Sequence, residues 1–564
     1  MPRVGVFVCH CGHNIGSVVD VEKVVEYAKQ LENVAVADHN LYSCSEEGLG
    51  SIKKSIRENK LDVVVVAACT PRTHEPLFRR ACEQAGVNKY LFEFVNIREH
   101  CSWIHAKEKE AATEKAKRLI AMGVAKASLL IPQKEGESSV IPVAAVIGGG
   151  IAGLTAAASL VSQGIETHII EKEASLGGLL NNISVIGPEL VETEPLIRRL
   201  KEDLERSPQA HIHLESRIVE LGGFIGNFDI KIAEGAETAD FKVGAIIVAT
   251  GGRELEPKNV YGFGKIPAVI TQIELEKRLA EGAVPSSAIF IQCVECRQPG
   301  REYCSRICCN VTLKNALRIV RSNPNARVTV LHRDIMSYGT TAERLYREVS
   351  ESGISFMRYG LESPPKVLEK QGGADVEVYD ETLNENIGIS GEIVVLATPI
   401  TSQEDTAETA KLLKVPVDKN GFFLEAHVKL RPVEFATDGV FICGSARWPS
   451  HVTECIAQGL AAAAKAAIPI RGGKVVTEAI TAEVDVERCA ACGNCVLACP
   501  YEAVEMTVID GKRCAKVNEA QCKGCGACVA ACHNDAMQQK GFTTRQLGAM
   551  IDALIKNSIE EAVE

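Results

Sequence analysis

Two groups of four closely spaced cysteines near the end of the chain restrict what this segment can fold into. The first group reads Cys489-x2-Cys492-x2-Cys495-x3-Cys499-Pro500, and the second reads Cys522-x2-Cys525-x2-Cys528-x3-Cys532. In this spacing three thiolates surround one corner of a [4Fe–4S] cubane, and the fourth reaches the neighbouring cluster. The predicted ligand sets are Cys489, Cys492, Cys495 and Cys532 for one cluster, and Cys522, Cys525, Cys528 and Cys499 for the other. A zinc site or a disulfide framework is the alternative.

Composition limits the class of protein. The chain has 564 residues, 46% of them hydrophobic, which predicts three to five domains with real cores. Its formal net charge of −11 argues against nucleic acid as a partner. We find no N-terminal signal and no apolar run as long as a membrane span. Without such a signal, 22 cysteines indicate metal clusters rather than disulfides, so we expect a cytoplasmic protein of a reducing, anaerobic cell.

A dinucleotide-binding fingerprint begins near residue 143. A predicted strand, 143–147, precedes Gly148-x-Gly150-x-x-Gly153 and an Ala-rich helix, and a second strand ends at Glu171. In this setting the glycines let the backbone approach a pyrophosphate at the helix N-terminus, and the acidic residue can bond a ribose hydroxyl. The sequence therefore predicts a bound dinucleotide.

Further segments in a fixed order indicate which dinucleotide. Leu176-Gly-Gly-Leu179, Ile246-Ile-Val-Ala-Thr-Gly-Gly252 and Gly439-Val-Phe-Ile-Cys-Gly444 follow the fingerprint. This set resembles the two-dinucleotide-domain flavoproteins of the thioredoxin reductase and glutathione reductase type, and the resemblance implies FAD. Ser445 stands where those proteins have an Asp that contacts the ribityl chain. The predicted FAD-binding residues are Gly148, Gly150, Ile151, Ala152, Gly153, Glu171, Lys172, Gly177, Gly178, Leu179, Ala249, Thr250, Gly251, Gly444 and Ser445.

The second dinucleotide domain of such flavoproteins is altered here. A predicted strand, 287–292, is followed by Cys293-x2-Cys296-x7-Cys304-x3-Cys308-Cys309 instead of a glycine fingerprint, and a helix is predicted to begin near Val311. Thiolates at the carboxyl end of that strand favour a cluster and disfavour NAD(P)H. Unligated thiols, or a Cys293–Cys296 disulfide of the thioredoxin reductase kind, are the alternatives.

The first 130 residues alternate strands and helices, which predicts a parallel sheet. Cys9, Cys44, Cys69 and Cys101 each follow the end of a predicted strand, with Cys11 as an alternative to Cys9. Because ligands bind at the carboxyl edge of an open α/β sheet, we expect these thiolates to converge on a further cluster. The other interpretation is a flavodoxin-like domain with scattered core cysteines, as predicted for Cys82 in mid-helix.

Taken together, these segments resemble the A-type subunit of heterodisulfide reductase from end to end. The matching runs are Val8-Cys-His-Cys-Gly12, Ala67-Ala-Cys-Thr-Pro-Arg-Thr-His-Glu75, Arg98-Glu-His-Cys-Ser-Trp103, Tyr303-Cys-Ser-Arg-Ile-Cys-Cys309 and the ferredoxin segment. The resemblance implies that Cys293, Cys304, Cys308 and Cys309 bind the flavin-domain cluster, with Cys296 outside the set. It also implies a catalytic lysine near the flavin, which by its position in the motif is Lys314. The alternative is that Lys314 is an exposed residue of the helix with no catalytic role.

Residues 181–221 contain no cysteine, whereas longer family members carry an extra ferredoxin domain in this region. We therefore expect a short form with FAD, two ferredoxin clusters, one cluster in the flavin domain and one in the N-terminal domain. The resemblance also implies B- and C-type partner subunits, an electron-input subunit, ferredoxin as a partner, and a homodimer.

The expected architecture is α/β and multidomain. Its predicted parts are an N-terminal α/β domain (1–135), an FAD-binding domain in two parts (140–285 and 401–475), an inserted dinucleotide-like domain (286–400), a ferredoxin domain (476–540) and a C-terminal helix (541–564).

A flavin flanked by clusters converts electron pairs to single electrons. The resemblance further implies flavin-based electron bifurcation between a mid-potential donor, a disulfide-type acceptor and ferredoxin. Two alternatives remain: a non-bifurcating relay that feeds a membrane quinone enzyme or another oxidoreductase, and an NAD(P)H disulfide reductase using Cys293 and Cys296.

Overall fold

The structure, a computed structural model, describes residues 1–235 and 237–563, without the side chains of residue 73 and residues 557–563. The chain forms two compact units. One contains Met1–Glu137 and Val476–Glu564, and the other contains Ser138–Val475.

The N-terminal segment is a four-stranded parallel sheet between helices. Its strands are apolar throughout β1 and β3, as expected for strands covered on both faces. Sheet order is β2-β1-β3-β4. The strands are β1 Val4–Cys9, β2 Val34–Asn40, β3 Val63–Ala68 and β4 Phe92–Asn96; the helices are α1 Val21–Ala28, α2 Glu46–Glu58, α3 Pro71–Gln84 and α4 Lys109–Ala127, with a π-helical turn at Arg98–Ser102 and a short strand, β5 Gly136–Ser139, after them.

The second unit starts with a parallel sheet that carries the fingerprint. Its first elements are β6 Val143–Ile147, α5 Ile151–Ser162, β7 Glu166–Ile170, β8 Val185–Ile186, β9 Val191–Glu192, α6 Thr193–Glu205 and β10 Ala210–His213, with a 3₁₀ turn at Gly178–Asn182. An antiparallel three-stranded sheet and two further strands follow: β11 Ser216–Phe224, β12 Asn227–Glu234, β13 Glu237–Val243, β14 Ala245–Val248 and β15 Gly252–Glu254.

An inserted domain repeats this plan. Its five-stranded parallel sheet has the order β16-β23-β17-β18-β19, and a three-stranded antiparallel sheet, β20-β21-β22, packs beside it. The elements are β16 Val269–Thr271, α7 Gln272–Ala280, β17 Ser287–Ile291, α8 Cys308–Ser322, β18 Arg327–His332, α9 Thr340–Glu351, β19 Ser355–Arg358, β20 Lys366–Lys370, β21 Gly373–Asp380, β22 Glu385–Gly391 and β23 Ile393–Leu396.

The chain then returns to the first sheet. The returning elements are β24 Ile400–Ser402, α10 Thr406–Leu413, β25 Val440–Ile442, α11 Val452–Gly472 and β26 Lys474–Thr477, with a 3₁₀ turn at Gly444–Ala446. β25 completes the parallel order β10-β7-β6-β14-β25. One Rossmann-like domain is therefore inserted into another, between β15 and β24.

The last segment consists of short elements around two cysteine groups. They are β27 Ala482–Val484, α12 Asn494–Leu497, β28 Val504–Ile509, β29 Lys512–Val517, α13 Ala527–Ala530, β30 Met537–Gln539 and α14 Thr544–Val563. α14 packs on α4, and Gln546 donates from Nε2 to the Leu129 carbonyl at 3.0 Å. α14 lies within the segment 541–564 for which the sequence predicts a helix, and residue 564 lies outside the described residues.

Candidate flavin and iron–sulfur sites

The glycine turn after β6 forms an open cradle. A Cβ on Gly148 would lie 2.4 Å from the Ala249 carbonyl oxygen, and one on Gly153 would lie 1.9 Å from that of Gly148. A Cβ on Gly150, by contrast, would meet no described atom within 4 Å, and no described side chain caps the N-terminus of α5. The free amides of α5 therefore face open space, the arrangement that accepts a pyrophosphate.

The other predicted FAD segments converge on this turn. Gly177 forms a β-bridge with Gly150, and Gly178 lies against it, with a built Cβ 3.2 Å from the Gly150 Cα. Ala249 packs on Gly148 and Gly153, while Ala152 packs on Gly444. The structure thus brings residues from four distant parts of the sequence to one place, as a dinucleotide site requires.

Three predicted residues are already engaged with the protein. Glu171 accepts the amides of Gly149 at Oε2 (2.6 Å) and of Glu173 at Oε1 (2.9 Å). A carboxylate oxygen has two lone pairs, so each retains one for a ribose hydroxyl. Lys172 donates to Gln403 (3.1 Å) and Asp405 (3.2 Å), and the Ser445 hydroxyl accepts the Ser450 amide at 3.4 Å.

Several buried polar atoms near these segments have no partner in the described part of the chain. They are Thr250 Oγ1, Ser184 Oγ, Thr193 Oγ1 and Asn310 Oδ1. Buried polar groups are normally satisfied, so unpaired ones indicate a missing ligand or water. The open amides and these unpaired groups together fit FAD.

The cysteine loop after β17 has an unusual backbone. Cys293, Glu295 and Arg297 have φ of 58°, 58° and 56°, alternating with residues of negative φ. Such alternation turns successive amide N–H groups inward and makes a concave site for anions, including iron–sulfur clusters. The ferredoxin segment repeats the pattern at Ala491 and Gly493 (φ 56° and 80°) and at Gly524 and Gly526 (60° and 77°).

Five thiols meet at this loop. The Cys296 thiol hydrogen-bonds to Cys293 and, against the effect of burial, lowers the pKa of Cys293 to about 6, with help from Arg333 and Arg297. Cys304, Cys308 and Cys309 each interact with Cys293. Arg297 Nη1 lies 3.8 Å from Cys293 Sγ. Thiolates supported by cationic side chains fit a cluster with net negative charge.

The helix predicted near Val311 begins at Cys308 instead, so the last two thiols lie in its first turn.

Lys314 lies two turns into α8 and is fully buried, with 1% of its side chain exposed. Its Nζ donates to the Val185 carbonyl oxygen (2.8 Å) and to the Glu276 carboxylate, which Arg318 also contacts at 3.0 Å. Burial lowers the pKa of Lys314, and Glu276 opposes that effect. The exposed-residue alternative for Lys314 is therefore wrong.

Glu276 was not among the predicted residues. It lies on α7, whose sequence alternates charged and apolar residues like a surface helix, and its partner Lys314 is 38 positions away. Two residues on the same face of α8 contact the two parts of the FAD-binding domain. Lys314 donates to the Val185 carbonyl oxygen in the first part, and Asn310 Nδ2 lies 3.4 Å from His451 Nε2 in the second.

In the N-terminal segment, four thiols meet at the carboxyl ends of β1 and β3. Cys11 hydrogen-bonds to Cys9 and lowers the pKa of Cys9 to about 6. Burial raises the pKa of Cys69, Cys9 and Cys44 raise it further, and Arg98 opposes them. Cys11 also interacts with Cys69 and Arg98. The structure therefore brings Cys9 and Cys11 together where the sequence offered them as alternatives.

Cys101 does not join this group. It lies in the π-helical turn, is fully buried, and its thiol donates to the Ala112 carbonyl at 3.0 Å. Burial raises its pKa to about 11, which Lys115 only partly offsets. The sequence expectation placed it with the others because it follows β4, but the turn directs its side chain into the core beneath α4.

The ferredoxin segment contains a cavity of about 190 Å³. Its lining includes four of the predicted ligands: Cys489, Cys492, Cys495 and Cys532. Burial, together with the nearby thiols of Cys522, Cys499 and Cys525, raises the pKa of Cys528 to about 11. Each group of four thus combines three thiols of one motif with the last thiol of the other, although ligation itself stays a prediction.

Two nested Rossmann-like sheets with an open dinucleotide turn, joined to a dicluster ferredoxin segment, define an iron–sulfur flavoprotein oxidoreductase. The family model of an NAD(P)-binding Rossmann-like domain matches residues 146–198, and that of a 4Fe-4S dicluster domain matches residues 471–537. Among the described residues, none of the helices is both long and apolar enough to cross a bilayer.

Curated relatives give the family. The chain is 36% identical to the second A-type iron-sulfur subunit of the CoB–CoM heterodisulfide reductase of Methanopyrus kandleri over 652 aligned positions, which cover 99% of both chains. It is also 36% identical to the A-type subunit of the H(2):CoB-CoM heterodisulfide,ferredoxin reductase of Methanothermobacter marburgensis, covering 98% of this chain and 97% of that one. The thioredoxin reductase of T. acidophilum matches 57% of this chain and 96% of its own at 15% identity, with a TM-score of 0.41. The chain belongs to the family of A-type heterodisulfide reductase subunits.

Proposed function

We propose that this chain is the FAD and iron–sulfur subunit of a heterodisulfide-reductase-like complex and performs flavin-based electron bifurcation. A mid-potential donor delivers electron pairs through an input subunit, and the two electrons leave separately toward a disulfide-type acceptor and toward ferredoxin. B- and C-type subunits supply the disulfide branch. The name of the M. marburgensis relative, which includes both a heterodisulfide and ferredoxin, supports this proposal.

Bound FAD would exchange electron pairs as well as single electrons, whereas each cluster passes one electron at a time. The chain's part is to hold the cofactors in fixed protein environments. We assign four clusters: two in the ferredoxin segment, one at Cys293, Cys304, Cys308 and Cys309, and one at Cys9, Cys11, Cys44 and Cys69. Cys101 is left out of the last set because of its bond to Ala112.

The buried contact between Lys314 and Glu276 carries the proposal. A lysine ammonium with 1% exposure is costly to bury, and it is retained here between a carboxylate and a carbonyl oxygen. Nζ donates to Glu276 at a place that is closed to water, so its contacts hold the amine in a fixed position. At a flavin, such a group changes the relative free energies of the one-electron steps because it favours one charge state over another.

The test is an anaerobic redox titration of the flavin absorbance in the purified chain. We expect the second one-electron potential to lie above the first, so that the flavin titrates as a two-electron group. Lys314→Met should bring the two potentials closer by more than about 60 mV, the one-electron equivalent of a tenfold change. The matched control is Lys277→Met, which removes a lysine from the last turn of α7, next to Glu276 in sequence. Equal effects of the two substitutions would contradict the role of Lys314.

One observation favours the non-bifurcating relay as a second candidate. The alignment with the M. kandleri relative extends over 652 positions, so that relative contains residues this 564-residue chain lacks. If a route for one electron is among them, this chain would pass both electrons along one branch. A flavin that titrates in two well-separated one-electron steps, unchanged in Lys314→Met, would support the relay.

A further inference from the structure

A group of histidines lies at the edge of the FAD-binding sheet, apart from the glycine turn. Glu166 and His168 are on β7, and His211 and His213 are on the edge strand β10. The two strands are parallel, with His211 opposite His168. Alternate residues of a strand share a face, so all four side chains lie on one side of the sheet, while Thr167 and Ile169 face the buried side.

Three donor atoms on this face are close enough to share one metal ion. His211 Nε2 lies 3.0 Å and His168 Nε2 lies 3.9 Å from Glu166 Oε1. All three ligand atoms lie within 4.8 Å of one another. Tetrahedral Zn²⁺, with bonds of about 2.0–2.1 Å to nitrogen and oxygen, places its ligands about 3.3 Å apart. The rings of His168 and His211 stack with 4.7 Å between their centroids and 27° between their planes, so binding one ion requires them to rotate until both nitrogens face it.

A second layer of contacts already orients the central ring. His168 Nδ1 lies 3.0 Å from His213 Nε2, and His213 Nδ1 lies 3.7 Å from Glu234 Oε1. With Nδ1–H of His168 donating to His213, Nε2 of His168 is the ring nitrogen whose lone pair stays available to a metal. Phe241 stacks on His168 at 4.0 Å between ring centroids. A metal-ligating histidine is usually fixed in this way through its other nitrogen.

We propose that Glu166, His168 and His211 bind a divalent transition metal of the zinc type, with water in the remaining position. Two imidazoles and a carboxylate are an established donor set for Zn²⁺, and His211 is partly exposed, so an ion can enter from solvent. The ion ties the edge strand β10 to β7. Its site contains no thiol and is independent of the electron-transfer function.

The experiment uses the full chain with FAD and clusters, stripped of loosely bound metal and dialysed anaerobically against ZnCl₂. We expect one zinc per chain beyond any at the cysteines, with an X-ray absorption signature of nitrogen and oxygen neighbours at about 2.0–2.1 Å rather than sulfur at about 2.3 Å. His211→Gln should weaken this binding about 100-fold. His213→Phe, which keeps the stacked ring but removes the acceptor for His168, should weaken it about tenfold.

Glu166→Gln should also remove the nitrogen–oxygen zinc, whereas Glu237→Gln, the same charge change at an exposed position on β13, should not. FAD content, measured for every variant, reports correct folding of the unit. The proposal is wrong if zinc shows only sulfur neighbours, if no zinc binds, or if the His211 and Glu166 variants bind zinc as the unchanged chain does.

Discussion

Among single residues, neighbours rather than burial alone distinguish the cysteines. Cys82, Cys443 and Cys455 are packed thiols whose pKa burial raises, to about 12 for Cys82 and about 11 for Cys455. Cys9 and Cys293 are also buried, yet the pKa of each is lowered to about 6 because a second thiol donates to it. The pKa of the candidate ligand Cys528 is raised to about 11, as that of Cys455 is, so the gathering of several thiols in one place, rather than a lowered pKa, marks the candidate ligands. Local environment therefore separates candidate ligands from core cysteines.

The N-terminal thiols give a prediction at this scale. Cys44→Ala should lose about four iron atoms per chain because it removes a member of the converging group. Cys101→Ala should keep all of its iron, since Cys101 bonds to a carbonyl in the core instead. Iron analysis of the anaerobically purified variants checks this, with Cys82→Ala as the packed-thiol control. Loss of four iron atoms in Cys101→Ala, with retention in Cys44→Ala, would restore the ligand set expected from the sequence.

The sequence points to the buried lysine but not to its partner. The resemblance to A-type heterodisulfide reductase subunits implies a role for Lys314, which lies five residues after Cys309. Glu276 carries no such signal, because an acidic residue on a short charged helix is usually solvated. Only the crossing of α7 and α8 buries it against Lys314. An ion pair between residues that meet only through a tertiary contact cannot be predicted from the local sequence pattern.

Among the elements, strands with strong apolar character can be predicted best. The predicted strand 143–147 and the strand ending near Ile170 match β6 and β7, since their flanking glycines and polar residues mark both ends. The predicted start of α8 is three residues late. The sequence places Cys308 and Cys309 in the loop before the helix, whereas in the structure they are its first two residues.

The glycine turn yields a prediction for one element. Gly150 has φ −75° and room for a Cβ, so Gly150→Ala should fold normally. The added methyl group would occupy the space in front of the α5 amides, so FAD affinity should fall at least about tenfold. Flavin fluorescence on titration of the deflavinated chain measures this. Gly472→Ala, also with open space around its Cβ, is the matched control and should bind FAD normally.

The ferredoxin segment allows a test of how its two motifs share ligands. If Cys532 completes the cluster of the first motif, Cys489→Ala and Cys532→Ala damage the same cluster. The double variant should then lose about four iron atoms, no more than either single variant. Cys522→Ala combined with Cys532→Ala should lose about eight. The reverse pattern would show that each motif holds its own cluster, contrary to the shared lining of the cavity.

For the molecule as a whole, the domain repertoire could be predicted because each part carries a compact motif. The ferredoxin spacing and the glycine fingerprint are each read within one short stretch of sequence, and their order along the chain gives the fold class. The boundaries proposed from the sequence are less sharply defined. The structure groups the N-terminal and C-terminal segments into one unit, through contacts such as α14 with α4 that no local pattern contains.

The inserted domain leads to the last prediction, which concerns how electrons enter the whole protein. After β17, where a nicotinamide-binding domain has a glycine turn, this chain has the loop of inward-facing amides and five thiols. No pyrophosphate cradle is present among the described residues of this loop, so anaerobic mixing with NADPH should leave the flavin oxidised, whereas dithionite should bleach it. Stopped-flow absorbance measures both, and iron analysis of the same sample should give about sixteen iron atoms per FAD. Rapid bleaching by NADPH with a low iron content would instead support a disulfide reductase that uses Cys293 and Cys296. Slow bleaching at full iron content would mean that NADPH enters at another site, because the cluster loop would still occupy this one.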